Sequence, residues 1–158
     1  MEWTVGTFMV KNVITVDSNE TVKAAAKLMS EKEIGSLVVL QDKKVRGIVT
    51  ETDLIRRVLA ENLDSEKTLV QDVMSTPPVI VKPSHPLEDA VKLMFQHQIK
   101  KLIVVEGEGK DLELKGIITL TDIASIQPAL MEVLLSLYKE NEETPPKRIQ
   151  KVIDYYIV

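Results

Sequence analysis

The sequence predicts an α/β (α+β) fold made by duplication: two β-α-β-β-α units packed sheet to sheet with pseudo-two-fold symmetry, then a helical tail. Three observations predict it. Gly47-Ile48-Val49-Thr50-Glu51-Thr52-Asp53 returns as Gly116-Ile117-Ile118-Thr119-Leu120-Thr121-Asp122, each copy closing an apolar run and opening a helical pattern. A shift of 65 residues lays the chain on itself, with Val13-Ile14-Thr15-Val16 on Pro78-Val79-Ile80-Val81 and Ala25, Ala26, Leu28 and Met29 on Ala90, Val91, Leu93 and Met94. Between these landmarks the apolar residues switch from β-branched runs to helical spacing and back. One unit of this size leaves a sheet face uncovered, and a pair can bury both faces in one core.

In the first copy, Val13–Val16 is a β-branched run and reads as a strand. Asp17 and Glu20 have the spacing of a capping box ahead of a helix. Val22, Ala25, Ala26 and Met29 then make one apolar stripe at i, i+3, i+4 and i+7. Gly35 suits a left-handed helix end. Ser36–Leu40 lacks polar alternation after Ser36, as a strand buried on both faces does. Gln41–Lys44 is a polar turn, Val45–Thr50 the next strand, and Thr52 or Asp53 the cap of a helix over about Leu54–Asn62.

The second copy repeats this order: strand Val79–Val81, a helix from near Pro86 to about Gln98, strand Lys101–Glu106, strand Leu114–Thr119 and a short helix from about Thr121. Its motif lies 69 residues after the first rather than 65, so four extra residues fall in the Gly- and charge-rich turn Glu106–Lys115. Loop insertions are cheap in chain entropy. The expected divisions are 4–62, 69–127 and a tail at 128–158. In the tail, Ala129–Glu140 carries Leu130, Val133, Leu134 and Leu137 on one stripe, and Lys147–Val158 ends in a compact apolar run. Both pieces either pack on their own module or meet a partner.

Composition removes several function classes. Apolar residues make up 44 % of the 158 and aromatics 4 %, so the core is aliphatic. With no cysteine, disulfides, thiolate nucleophiles and Cys-based metal sites are absent, which suits a reducing cytoplasm. The start of the chain lacks a signal-peptide pattern, and no apolar run is long enough to span a bilayer. A net charge of −4 disfavours broad nucleic-acid binding. His85 and His97 fall at opposite ends of one helix, which disfavours a shared metal or catalytic pair. No Ser-His-Asp set, phosphate-loop glycine pattern or carboxylate cluster offers an enzyme reading.

The duplicated G-h-h-T-x-T-D turn within a β-α-β-β-α order resembles the cystathionine beta-synthase (CBS) domain, of which a tandem pair forms a Bateman module. The resemblance covers about residues 4–127. Val70-Gln71-Asp72-Val73-Met74 matches the family's V-x-D-x-M lead-in, and the first repeat departs from it with Val5-Gly6-Thr7-Phe8-Met9. The resemblance implies a stand-alone, non-catalytic regulatory module that needs no cofactor. It would bind AMP, ADP, ATP or S-adenosylmethionine in two clefts between the repeats, form a homodimer and signal to a partner protein.

Carried over residue by residue, one cleft holds Thr119, Asp122 and Lys100 with Val13, Ile14 and Ile34 as adenine walls. The other holds Thr50 and Asp53 with Val79, Ile80 and Ile99. The chemistry agrees. An ionised carboxylate only accepts hydrogen bonds, so Asp53 and Asp122 suit a ribose diol and suit phosphate badly. Thr50 and Thr119 can donate to an oxygen. Lys100 and Lys101 stand where the family often places a phosphate contact, and Gly35 and Ser36 hold those places in the first repeat. The two clefts are therefore unequal, with the Asp122 cleft expected to bind a charged nucleotide more tightly.

Plainer roles stand beside these. A Thr or Asp at a helix start is ordinarily an N-cap. Thr52 and Thr121 could cap while the aspartates stay free. Lys100-Lys101 also suits a helix C-terminus. Lys43, Lys44 and Arg46 form a basic hairpin that reads as solvated surface. Arg56-Arg57 reads as surface too, within reach of a further phosphate. The rival function is a protein-interaction or nucleic-acid-binding module with vestigial pockets, carried by that hairpin and the tail.

Overall fold

A computed structural model of the chain describes residues 3–157; Met1, Glu2 and Val158, the last being the end of the expected apolar terminus, lie outside the described residues. The chain forms two compact bodies. One consists of Asn12–Pro78 with Gly107–Leu114, the other of the chain up to Lys11, Val79–Glu106 and the chain from Lys115 onward. The sequence repeats are continuous and the bodies are not.

The repeat-1 body has a three-stranded sheet in the order β1 (Thr15–Asp17), β2 (Ser36–Gln41), β3 (Lys44–Thr50). β1 runs parallel to β2, with Thr15 opposite Val38, so the connection must cross over, and α2 (Val22–Lys32) makes the crossing. β2 and β3 form an antiparallel hairpin from Ser36↔Thr50 to Gln41↔Lys44. Its two turn residues, Asp42 and Lys43, both take positive φ (51° and 66°), which matches the twist of a two-residue hairpin.

Two expected caps move. The N-cap of α2 is Thr21, whose hydroxyl accepts the Ala24 N–H at 3.1 Å. Asp17 instead ends β1, and its carbonyl accepts the Glu20 N–H in a turn. The left-handed residue closing α2 is Glu33 (φ 53°), not Gly35. A Cβ on Gly35 would meet only the end of the exposed Glu51 side chain, which can swing away. After β3 the helix begins earlier than expected, as α3 (Glu51–Leu54), and continues as a π-helical turn over Ile55–Leu59. The π turn is marked by the Ala60 N–H reaching the Ile55 carbonyl at 2.8 Å.

The core here is aliphatic: Val16, Val22, Ala25, Met29, Leu37, Val39, Val49 and Val58. Val70 and Val73 of the short helix α4 (Val70–Val73) complete it, although in sequence they open the second repeat. Val70 and Gln71 N–H groups donate to the Glu20 and Ser18 carbonyls, and Ser75 pairs with Ile48 beside β3.

The repeat-2 body has the matching sheet β4 (Ile80–Val81), β5 (Lys101–Glu106), β6 (Glu113–Thr119), with β4 parallel to β5. The crossing helix is α5 (Leu87–His97), with Pro86 at its N-cap and Gln98 (φ 55°) as its left-handed end. The helix at the end of β6 is α6 (Leu120–Ile126). The lead-in of the first repeat belongs to this body. Its helix α1 (Val5–Phe8) buries Val5 with Val81 and Leu87, and Val10 pairs with Ile117. Gly6, where the lead-in departs from the family pattern, is backed by Pro83: a Cβ would meet the Pro83 Cβ at 2.8 Å.

The tail packs on the same body. α7 (Ala129–Glu140) lies on α5 and α6, and α8 (Lys147–Tyr156) on α6 and α7. Leu130, Met131, Leu134, Tyr138, Ile149 and Ile153 join the core cluster, and the Phe95 and Tyr138 rings meet edge to face at 4.8 Å. Among the described residues no helix is long and apolar enough to cross a membrane.

Candidate functional site

Each Thr-x-x-Asp turn is a reciprocal capping box. Thr50 is extended (φ −119°, ψ 165°) and is the N-cap of α3; its Oγ1 accepts the Asp53 N–H at 3.1 Å while Asp53 Oδ2 accepts the Thr50 N–H at 2.9 Å. Thr119 and Asp122 repeat this at the start of α6, with both bonds at 3.1 Å. The caps are therefore the motif threonines at the strand ends, not Thr52, Thr121 or Asp53, and the aspartates are not idle. The reason is local. The last extended residue before the first helical turn presents its N–H to the side chain three positions on, and that side chain is Asp in both copies.

The two carboxylates differ in what else reaches them. Asp53 is 7 % exposed. Its Oδ1 accepts the Ser75 hydroxyl at 3.3 Å and lies 3.8 Å from Arg57 Nε. Arg57 donates to the Val73 and Met74 carbonyls at 3.0 and 3.1 Å, so its guanidinium ties α4 to the turn although the side chain stays half exposed. Asp122 is half-buried, and among the described residues no hydrogen bond reaches its Oδ1. Sequence reasoning overlooked Ser75 and read Arg57 as surface within reach of a phosphate, not as a partner of Asp53. The signal was present: at the equivalent positions the other copy carries Val10 and Ile126, neither able to hydrogen-bond a carboxylate through its side chain.

The residues beside each turn follow the same division. The Leu120 N–H donates to the Lys100 carbonyl at 2.8 Å, which places the Ile99-Lys100-Lys101 segment against the Asp122 turn. The equivalent bond in the other body runs from the Glu51 N–H to the Gly35 carbonyl at 3.0 Å. Val79 and Ile80 lie in the Asp122 body, where the Ile103 N–H donates to the Val79 carbonyl at 3.3 Å. Val13, Ile14 and Ile34 lie in the Asp53 body, where the Val38 N–H reaches the Ile14 carbonyl at 3.4 Å. These five and Ile99 are all half-buried, neither core nor open surface.

The repeat-1 body also has an open cleft of ≈ 480 Å³ between α2 and α3, lined by Ile34, Gly35, Glu51 and Ile55 among others, but not by Thr50 or Asp53. The basic hairpin is partly neutralised. Lys44 pairs with Asp111 at 2.9 Å, which raises the lysine pKa, and Arg46 donates to the Lys110 carbonyl at 2.7 Å. Among the described residues no group of His, Asp or Glu side chains could hold a metal ion.

A tandem α/β module with a capped Thr-x-x-Asp turn in each half is a defined class of protein. The family model of the CBS domain matches residues 5–60 and again 70–128, and this chain belongs to the CBS domain family. A CBS domain-containing protein of Bacillus subtilis is 38 % identical over 116 residues, covering 73 % of this chain and 79 % of the relative. Among solved structures, a conserved CBS domain protein of Thermoplasma acidophilum superposes with a TM-score of 0.72 at 29 % identity, covering 86 % of this chain and 76 % of that one. The structure of CBSX2 in complex with AMP superposes with a TM-score of 0.66 at 28 % identity, covering 81 % of this chain and 98 % of that one.

Proposed function

We propose that this chain is a non-catalytic regulatory module of the cytoplasm that senses an adenine nucleotide, bound foremost at the Thr119–Asp122 turn. The observation that carries this reading is the unequal state of the two aspartates. A ribose diol needs an acceptor for two O–H groups. Asp122 keeps one carboxylate oxygen for it, whereas Asp53 Oδ2 accepts from the Thr50 N–H and Oδ1 from the Ser75 hydroxyl, with Arg57 at ion-pair distance. Lys100, beside the Asp122 turn, supplies a cation for a phosphate and disfavours the sulfonium of S-adenosylmethionine. Val13, Ile14, Ile34, Val79, Ile80 and Ile99 are aliphatic surfaces suited to adenine, and the AMP-bound relative supports that ligand class. A second copy of the chain and a regulated partner protein complete the reading, since a signal requires different affinities for two states.

Calorimetric titration of AMP, ADP, ATP and S-adenosylmethionine tests it. Asp122→Asn keeps an acceptor for the Thr119 N–H and loses the charge. It is expected to lower nucleotide affinity by roughly tenfold or more, the weight of a charge-assisted hydrogen bond, and Asp53→Asn by less. A larger loss for Asp53→Asn reverses the ranking. A flat response of the unmodified chain to all four ligands removes the reading.

A further inference from the structure

Gln98 ends α5 in the left-handed conformation, two residues before Lys100. Residues of the tail hold it from several directions. The Tyr138 hydroxyl of α7 donates to its Oε1 at 2.9 Å, and Arg148 of α8 donates to its carbonyl at 2.5 Å. Its amide nitrogen donates to the Phe95 carbonyl at 3.0 Å and to Glu143 at 3.5 Å. The other repeat supplies an internal control. Glu33 occupies the equivalent position with nearly the same φ (53° against 55°), is exposed, and among the described residues its side chain has no hydrogen-bond partner. The clamp is therefore not a requirement of this helix end. It is an addition to the repeat whose aspartate stays open.

From Gln98 the connection to the turn is short. The Ile99 N–H returns to the Met94 carbonyl at 3.1 Å, and the Lys100 carbonyl accepts the Leu120 N–H at 2.8 Å, at the first residue of the helix that carries Asp122. We propose that Gln98 is a positioning residue through which α7 and α8 hold Lys100 against the Thr119–Asp122 turn, so that nucleotide occupancy and docking of the tail reinforce each other. This inference rests on the nucleotide reading above. Coupling of this kind is reciprocal: if the docked tail favours binding, binding favours the docked tail.

Hydrogen exchange on the full chain, with and without AMP, tests it in the unmodified protein and in Tyr138→Phe, Arg148→Gln and Gln98→Asn. Asparagine tolerates the left-handed conformation but is shorter. Without AMP, the variants should exchange faster at residues 98–101 and 120–122 only. Faster exchange throughout the repeat-2 body would mean general destabilisation and would overturn the proposal. With AMP, exchange in α7 and α8 of the unmodified protein should slow, and AMP affinity should fall by roughly fivefold in each variant, about the factor one hydrogen bond carries. Glu33→Gln should change none of these. Unchanged affinity and an unprotected tail, with AMP bound, would also overturn it. If AMP does not bind the unmodified protein, the nucleotide reading falls and the coupling falls with it. The exchange of residues 98–101 in ligand-free variants then decides separately whether the tail positions the turn.

Discussion

Thr50–Asp53 and Thr119–Asp122 make the same pair of reciprocal hydrogen bonds, and the difference between them comes from residues outside the motif. Ser75 and Arg57 complete the first carboxylate; Val10 and Ile126 at the equivalent positions offer the second one no donor, and among the described residues its Oδ1 has no hydrogen bond. The motif glycines have an equally specific cause. A Cβ on Gly116 would stand 2.7 Å from Met9 Sδ and 2.8 Å from the Val10 carbonyl; one on Gly47 would stand 2.5 Å from the Ser75 carbonyl. Each glycine gives room to the lead-in strand that pairs beside it. In each case one of the close atoms is a backbone carbonyl of a bridged residue, which cannot yield cheaply. Gly116→Ala is expected to lower the unfolding free energy by about 1–3 kcal/mol, as overpacking does, measured by urea denaturation. A loss below ~0.5 kcal/mol would show that the lead-in can shift, since surface-like tolerance is of that size.

At the scale of elements, most of the chain is legible in its periodicity. The strand Lys101–Glu106 and the helix Ala129–Glu140 have the bounds the pattern predicts. Boundaries move where a side chain competes for a backbone N–H, as at Thr21 and Thr50, because several neighbouring Asp and Thr residues could each cap and only the backbone angle selects one. The packing of α7 on α5 was not legible, since an apolar stripe does not name its partner. Tyr138 reports on that contact. It is 1 % exposed, and burial raises its phenol above the ordinary tyrosine range while the bond to Gln98 pulls the other way. The folded state therefore holds this proton more tightly than the unfolded chain. Its contribution to stability is complete below a pH of about 10, and is lost as pH rises through the raised value. Thermal melts across that range should show a steeper alkaline fall for the unmodified protein than for Tyr138→Phe. Equal slopes would mean the phenol is not buried in solution.

At the scale of the whole molecule, the two repeats differ in what covers their helices. In the repeat-2 body α7 and α8 lie on α5 and α6. In the repeat-1 body the matching surface leaves Ile55, Leu59 and Leu63 exposed at 57, 76 and 47 %. A two-fold contact between copies would bury this apolar stretch against itself. Sedimentation is expected to show a dimer at micromolar concentration and a shift towards monomer for Leu59→Glu. A monomeric unmodified protein, or a dimer indifferent to Leu59→Glu, would place the second copy elsewhere or remove it.

By itself the sequence determined the duplicated β-α-β-β-α order, the repeated turn, the insertion before β6 and the helical character of α7. These follow from spacing along the chain, where helix and strand periods and turn chemistry act over a few residues. Tertiary structure alone decided that each lead-in helix completes the body of the other repeat. It also decided that Asp53 is filled and Asp122 is not, and that the tail ends on Gln98. Those outcomes depend on groups far apart in sequence, 22 residues for Ser75 and Asp53 and 40 for Tyr138 and Gln98. A hydrogen bond forms between whichever groups the packing brings within about 3 Å, and a repeat pattern carries no record of that distance.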